Sequence, residues 1–315
     1  MMKHTAKDLQ SLIRGPVFPI LTPFTEKTFE VDHEALRRYV EFLIGEGANN
    51  ILVTVGTSRF NLLSIEEMKS VNKTVVHAVN ERAIAIVAGP QEGSLHQNLE
   101  FANHAAEIGA DGLIVMYPER FYGDQAIFGF YKEISERSEV PILIHEMPMR
   151  DGFGGPPVQY SLDLLDRLTD LSNIGGIKEE CMQPAYTYRI LRKIAEKTAI
   201  IGAGSMRNYL RDCHAGANAY LVGIGSFLPK LALEFYQFIG DQDFVAAENI
   251  VRNNEDPYFD FAVSLGWHRA LKQTLNAMGL MPGIERPPLL GLDEEERIRL
   301  SEVLSKLGWL NKGVQ

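Results

Sequence analysis

Eight short runs of strand-favouring residues recur along most of this chain, and each is followed by a stretch long enough for a helix. They lie near Val17–Leu21, Asn50–Val55, Ala83–Ala88, Gly112–Met116, Pro141–His145, Ile174–Lys178, Ala199–Gly202 and Tyr220–Ile224. Strand alternating with helix is the pattern of β/α units around a parallel sheet. Several runs are almost wholly apolar, Ala83-Ile84-Ala85-Ile86-Val87 most clearly. A strand covered on both faces reads in this way, because neither side meets water. The intervening segments carry apolar residues three and four apart: Leu36, Tyr39, Val40 and Leu43 make one stripe, Leu162, Leu165 and Leu168 another. Gly47, Gly109 and Gly216 stand where helix C-terminal stops belong. The pattern predicts an α/β protein, a (β/α)8 TIM barrel over residues 1–228. Residues 229–315 then supply the last barrel helix and a C-terminal three-helix extension, read at Phe244–Asn253, Ser264–Met278 and Glu294–Leu307. That extension is expected to pack on one side of the barrel, forming an oligomer contact or one wall of a site.

Size and composition suit that reading. A single barrel of 315 residues is ordinary. With 45% hydrophobic and 23% charged residues the composition is that of a globular protein. No apolar run reaches the roughly 18 residues that span a bilayer. The start, Met1-Met2-Lys3-His4-Thr5-Ala6-Lys7-Asp8, has no apolar core behind its charges and does not read as a signal peptide. Cys181 and Cys213 are the only cysteines, too few for a disulfide framework, so a cytoplasmic location is expected. No His, Cys and carboxylate trio has zinc-like spacing, and no metal is expected. A net charge of −10 argues against nucleic acid or anionic membrane as a partner.

In a parallel barrel the residues that end the strands converge on one pocket. Lys178 ends the sixth run, in Ile174-Gly175-Gly176-Ile177-Lys178-Glu179-Glu180. A lysine partly withdrawn from water has a lowered pKa, and its free amine attacks a ketone to form a Schiff base. His145 ends the neighbouring fifth run, where a neutral imidazole can accept and return a proton. After the second run, Gly56, Thr57 and Ser58 offer backbone N–H groups and two hydroxyls as a carboxylate cradle. Gly204 and Leu221, from the last two strand ends, complete the expected substrate-binding set together with Glu119 and Arg150. Lys178, His145 and Thr57 are the expected catalytic residues.

Taken in order, these segments resemble the dihydrodipicolinate synthase and N-acetylneuraminate lyase superfamily of pyruvate-dependent class I lyases. The resemblance runs from Gly15-Pro16-Val17-Phe18-Pro19-Ile20-Leu21-Thr22-Pro23-Phe24, through Val31-Asp32-His33-Glu34-Ala35-Leu36, Leu63-Ser64-Ile65-Glu66-Glu67 and Gly109-Ala110-Asp111-Gly112. It reaches Gly175-Gly176-Ile177-Lys178-Glu179, Pro229-Lys230 and Leu271-Lys272-Gln273. It implies that Lys178 is the Schiff-base lysine, that no metal or organic cofactor is required, and that the protein is a homotetramer, a dimer of dimers. The departures are as informative. Where the family reads G-T-T-G-E this chain has Gly56-Thr57-Ser58-Arg59-Phe60, and where the family has a catalytic tyrosine it has His145-Glu146-Met147-Pro148. The rim is then expected to be rebuilt from His145, Glu119, Glu146, Arg59 and Arg150. Three readings follow: carbon–carbon cleavage or condensation of a 2-keto acid through Lys178, dehydration of a 2-keto-3-deoxy sugar acid on the same imine, or a barrel that has lost its chemistry and only binds ligand.

Overall fold

The computed structural model describes residues 3–91, 93–117, 120–147, 149–150, 157–181 and 183–310. Eight parallel strands close into a barrel: β1 (Gly15–Pro19), β2 (Asn50–Val53), β3 (Ile84–Ala88), β4 (Gly112–Met116), β5 (Ile142–Glu146), β8 (Ile174–Glu179), β9 (Ala199–Gly202) and β10 (Ala219–Leu221). Two short strands, β6 (Met149–Arg150) and β7 (Pro157–Val158), pair antiparallel in an excursion after β5 that the sequence pattern did not announce. Around the ring each strand neighbours the next in chain order, and β1 closes on β10. Each barrel strand overlaps its predicted run, with shifts of a few residues at most.

Alternation along the strands divides the apolar side chains into two layers. Val17, Leu52, Ile86, Ile114, Leu143 and Ile201 fill the barrel, whereas Phe18, Ile51, Val53, Val115, Ile144 and Ile177 face the helices. The bottom of the barrel is plugged by an N-terminal helix, Ala6–Leu12, which the sequence reading missed. Its start carries a capping box: Asp8 N donates to Thr5 Oγ1 at 3.2 Å and Thr5 N donates to Asp8 Oδ2 at 2.7 Å. Leu9 and Ile13 enter the inner layer. Gly175 is what lets the helix approach β8, since a Cβ there would lie 3.3 Å from the Ala6 backbone.

The C-terminal extension differs from its expected form. The first predicted helix stops at Ile250, passes through one π turn, Val251–Glu255, and continues as Asp256–Ser264; Trp267–Ala277 and Glu294–Lys306 follow. Pro257, which has no N–H, stands at the start of the second segment and accounts for the break in the regular ladder. Fixed by this layer, Glu255 reaches back to the barrel: its carboxylate accepts the Met206 and Arg207 N–H groups, each at 2.8 Å. Burial pushes that carboxyl up to about 7. No helix among the described residues is long and apolar enough to cross a membrane.

Candidate active site

The register of β5 against β8 pairs His145 with Lys178 and Glu146 with Glu179. Because Leu143 points inward and Ile144 outward, His145 points inward; Ile177 points outward, so Lys178 does also point in. Both side chains are nearly sealed from solvent, Lys178 at 2% and His145 at 4% exposure. Lys178 Nζ lies 3.0 Å from His145 Nε2 and donates to Glu180 Oε2 at 2.6 Å. The third edge closes with His145 Nε2 at 2.7 Å from the same carboxylate oxygen. An amine, an imidazole and a carboxylate thus share one small cluster at the carboxyl end of the barrel. Glu180 was passed over in the sequence, although it stands two residues after Lys178, the spacing that keeps side chains on one face of a strand.

Burial, then the neighbouring Lys178, lowers the His145 pKa to about 4. The imidazole is therefore neutral at pH 7, well below the range of a free histidine. Its Nδ1 is buried and finds no partner among the described residues. Burial alone would raise the Glu180 carboxyl, but Lys178 and His145 overcome it and hold the group well below the usual carboxylate range. The Glu180 side chain keeps about a third of its surface open, 32%, toward the pocket.

The second strand delivers Thr57 by way of local strain. Thr54 adopts φ +58°, unusual for a β-branched residue, and is held there by its hydroxyl, 2.7 Å from Asn72 Oδ1. The chain then folds into the turn Gly56–Ser58 over the barrel mouth, followed by Arg59 at φ +64°. Thr57 lines the pocket. Ser58 does not: its N–H donates to Val55 O at 2.9 Å and its hydroxyl to Ile20 O at 2.5 Å. Of the three residues of the expected carboxylate cradle, Thr57 alone lines the pocket.

Two members of the expected rim point elsewhere. Arg59 is 2% exposed and faces the C-terminal layer, where Nε and Nη2 donate to Glu285 at 3.1 and 2.5 Å. Its remaining contacts are the Thr57 carbonyl at 3.2 Å and the His268 carbonyl at 2.6 Å. Glu146, next to inward-facing His145, faces outward and is fully buried; one of its oxygens accepts the Glu180 N–H at 3.3 Å. Burial and then Glu179 raise its carboxyl to about 7. Glu119 and the side chain of Arg150 lie outside the described residues.

The cavity beside the cluster measures about 190 Å³, below the roughly 300 Å³ at which drug-sized sites begin. Gly204 and Leu221 line it as expected, together with Thr57 and Glu180. Gly204 has a steric reason, since a Cβ there would sit 3.3 Å from Leu221 O. The opposite wall comes from the C-terminal layer: Glu255, Phe259, Trp267 and His268. The expectation of one wall from this extension holds, but its four residues were not identified. Trp267 seats against Gly223, where any Cβ would come within 2.2 Å of the indole. His268 is a second pocket imidazole whose pKa burial, and then Arg59, lowers to about 4. Among the described residues no group of three or more His, Cys, Asp or Glu side chains is placed to hold a metal.

The geometry can be set beside known proteins. The model of the dihydrodipicolinate synthetase family matches residues 13–307. The chain belongs to that family. An uncharacterized DapA-like lyase of Thermococcus onnurineus is 26% identical over 93% of this chain and 100% of its own length. The 4-hydroxy-tetrahydrodipicolinate synthase of Methanothrix thermoacetophila is 26% identical over 94% of this chain and 97% of its own. A prophage protein of the family from E. coli K12, solved in complex with pyruvate, superposes with a TM-score of 0.83, covering 95% of this chain and 99% of its own at 19% identity, a likeness that shows the fold. Family membership supports a lyase on this barrel.

Proposed function

We propose that the protein is a Schiff-base-forming lyase that acts on pyruvate or another 2-keto acid through Lys178, making or breaking the carbon–carbon bond next to the imine. The observation that carries this reading is the buried amine of Lys178 at the end of β8, with a neutral imidazole at 3.0 Å and the Thr57-lined cavity beside it. The keto acid carboxylate would sit against Thr57, with its carbonyl carbon within reach of Lys178. The imine withdraws electrons from the adjacent carbon, so a proton or a carbon fragment can depart and leave an enamine. His145 would carry that proton, in the place where the family has a tyrosine. No metal or organic cofactor enters this scheme. The E. coli relative captured with pyruvate supports the choice of a short 2-keto acid.

Dehydration of a 2-keto-3-deoxy sugar acid uses the same imine and expels hydroxide instead of carbon. The polar groups of the far wall, Glu255 and His268, keep that reading open, since a hydroxylated tail would meet them. A barrel without chemistry is the poorer account, because burying a lysine and a histidine beside a glutamate is costly and simple binding does not need it. The test is borohydride reduction in the presence of pyruvate. It should add a mass that maps to the peptide carrying Lys178, and Lys178→Ala should fold normally and trap nothing. No adduct with any short 2-keto acid, or an adduct on another lysine, would refute the proposal. Pyruvate release measured against loss of water over a panel of 2-keto acids then separates the two reactions.

A further inference from the structure

We propose that Glu180 is a catalytic residue: it takes the protons from the Lys178 amine and hands them to the carbonyl oxygen that leaves as water when the imine forms. This rests on the Schiff-base reading above and assigns the proton carrier for its first step.

The argument starts from what Lys178 can touch. Among the described residues its amine has two hydrogen-bond partners, Glu180 Oε2 at 2.6 Å and His145 Nε2 at 3.0 Å. An ammonium cannot attack a ketone until a proton leaves, and a side chain 2% exposed has little water to give it to. Of these two partners Glu180 is the nearer and can only accept, and it is the one that also borders the cavity. His145, at 4% exposure, sits beside the amine but away from the cavity lining. The carboxylate can therefore face the amine and the substrate oxygen in turn. Its backbone is anchored for this, because the Glu180 N–H donates to the buried Glu146 carboxylate at 3.3 Å. Lys178 and His145 also keep Glu180 in its ionised form.

The step balances with this one carrier. The Nζ lone pair forms the C–N bond while the C=O π pair moves to oxygen, which takes one proton. The nitrogen lone pair then forms C=N as the C–O bond breaks, and the departing hydroxyl takes a second proton. An ammonium and a ketone thereby become a protonated imine and water. The two protons lost by nitrogen are the two gained by oxygen, so Glu180 ends as it began. His145 is left free for proton transfer at the substrate carbon, which separates the two residues by step.

That separation can be measured. Protein and pyruvate are mixed, quenched with borohydride at successive times, and the Lys178 adduct is quantified by peptide mass. Glu180→Gln should form the adduct at least ~10²-fold more slowly, the scale of a lost acid–base group. Glu180→Ala should be as slow, and added formate should restore its rate as the formate concentration rises. A purely structural counter-ion would lower the melting temperature without these effects. Adduct formation by Glu180→Gln at the wild-type rate or faster would overturn the proposal while leaving the Schiff-base reading intact. Should Glu180→Gln not fold, a Glu180→Ala variant that formate fails to rescue overturns it equally. Absence of any adduct in the wild-type protein would instead overturn the Schiff-base reading, and this proposal with it.

Discussion

Replacing Glu285 with glutamine should destabilise the protein and loosen the pocket together. Among the described residues Glu285 is the one carboxylate facing the buried basic groups of Arg59, at 2.5 Å, and Lys272, at 3.5 Å, with all three side chains about 2% exposed or less. Glu285→Gln keeps the shape, removes the charge, and turns an amide N–H₂ toward guanidinium and ammonium donors. Arg59 would keep at most one of its two bonds to this side chain, beside the Thr57 and His268 carbonyls. Breaking a buried pair by removing one partner costs about 3–5 kcal/mol, because the remaining charge is left without compensation. With ~2.1 cal/mol/K of unfolding entropy per residue, 315 residues give ~0.66 kcal/mol/K, so the melting temperature should fall by about 5–8 °C. Circular dichroism at 222 nm during a thermal scan measures this. Since Arg59 ties the Thr57 turn to the first turn of Trp267–Ala277, KM for the 2-keto acid should rise as well. The double variant Arg59→Met/Glu285→Met, which buries no lone charge at these two positions, should recover part of the loss. A Glu285→Gln protein that melts within about 1 °C of wild type would refute the reasoning, and the ion pair would then contribute nothing net.

Other outcomes follow from the same geometry. His145→Gln should still form the imine yet lose turnover by ~10²-fold or more, read as steady-state kcat beside borohydride trapping. With His145 near 4, the acid limb that it imposes on the rate should fall near pH 4, not near the ~6.5 of a free imidazole. Lys272 offers a stability test: burial lowers its pKa from 10.5 to about 7, so between those values the unfolded chain binds more protons. Stability should therefore rise with pH from 7 to 9, before Cys181 and the buried tyrosines act in the opposite sense, and urea midpoints for Lys272→Met should lose that rise. We also propose a homotetramer, on family resemblance; sedimentation equilibrium that gives a monomer at micromolar concentration would exclude it.

The barrel was legible from the chain because its signal is local. An apolar run such as Ala83–Val87 needs no knowledge of its partners to read as a strand covered on both faces, and Lys178 and His145 stand at the ends of two such runs. Period-two alternation even carried the Glu180 signal, two residues after the lysine. What the chain could not disclose was direction wherever the backbone leaves the regular strand. Ser58 and Arg59 read as pocket residues, but a left-handed turn at Arg59 sends one hydroxyl to the Ile20 carbonyl and the guanidinium to Glu285, far along the sequence. Glu146 is a different case: it read as a rim acid, yet it lies within β5, where alternation from inward-facing His145 places it on the outer face.

The sequence by itself determined the eight barrel strands, the order of the units and the strand-end positions of Lys178 and His145, because periodicity and strand-end position are properties of short segments. Only the tertiary structure decided that Glu180 joins Lys178 and His145 in one cluster, and that Glu255, Phe259, Trp267 and His268 wall the cavity. Those four residues come from helices that pack back across the barrel mouth. No local pattern encodes such a return, since it depends on the π turn at Val251–Glu255, the fit of Trp267 on Gly223 and the buried pairing of Arg59 with Glu285.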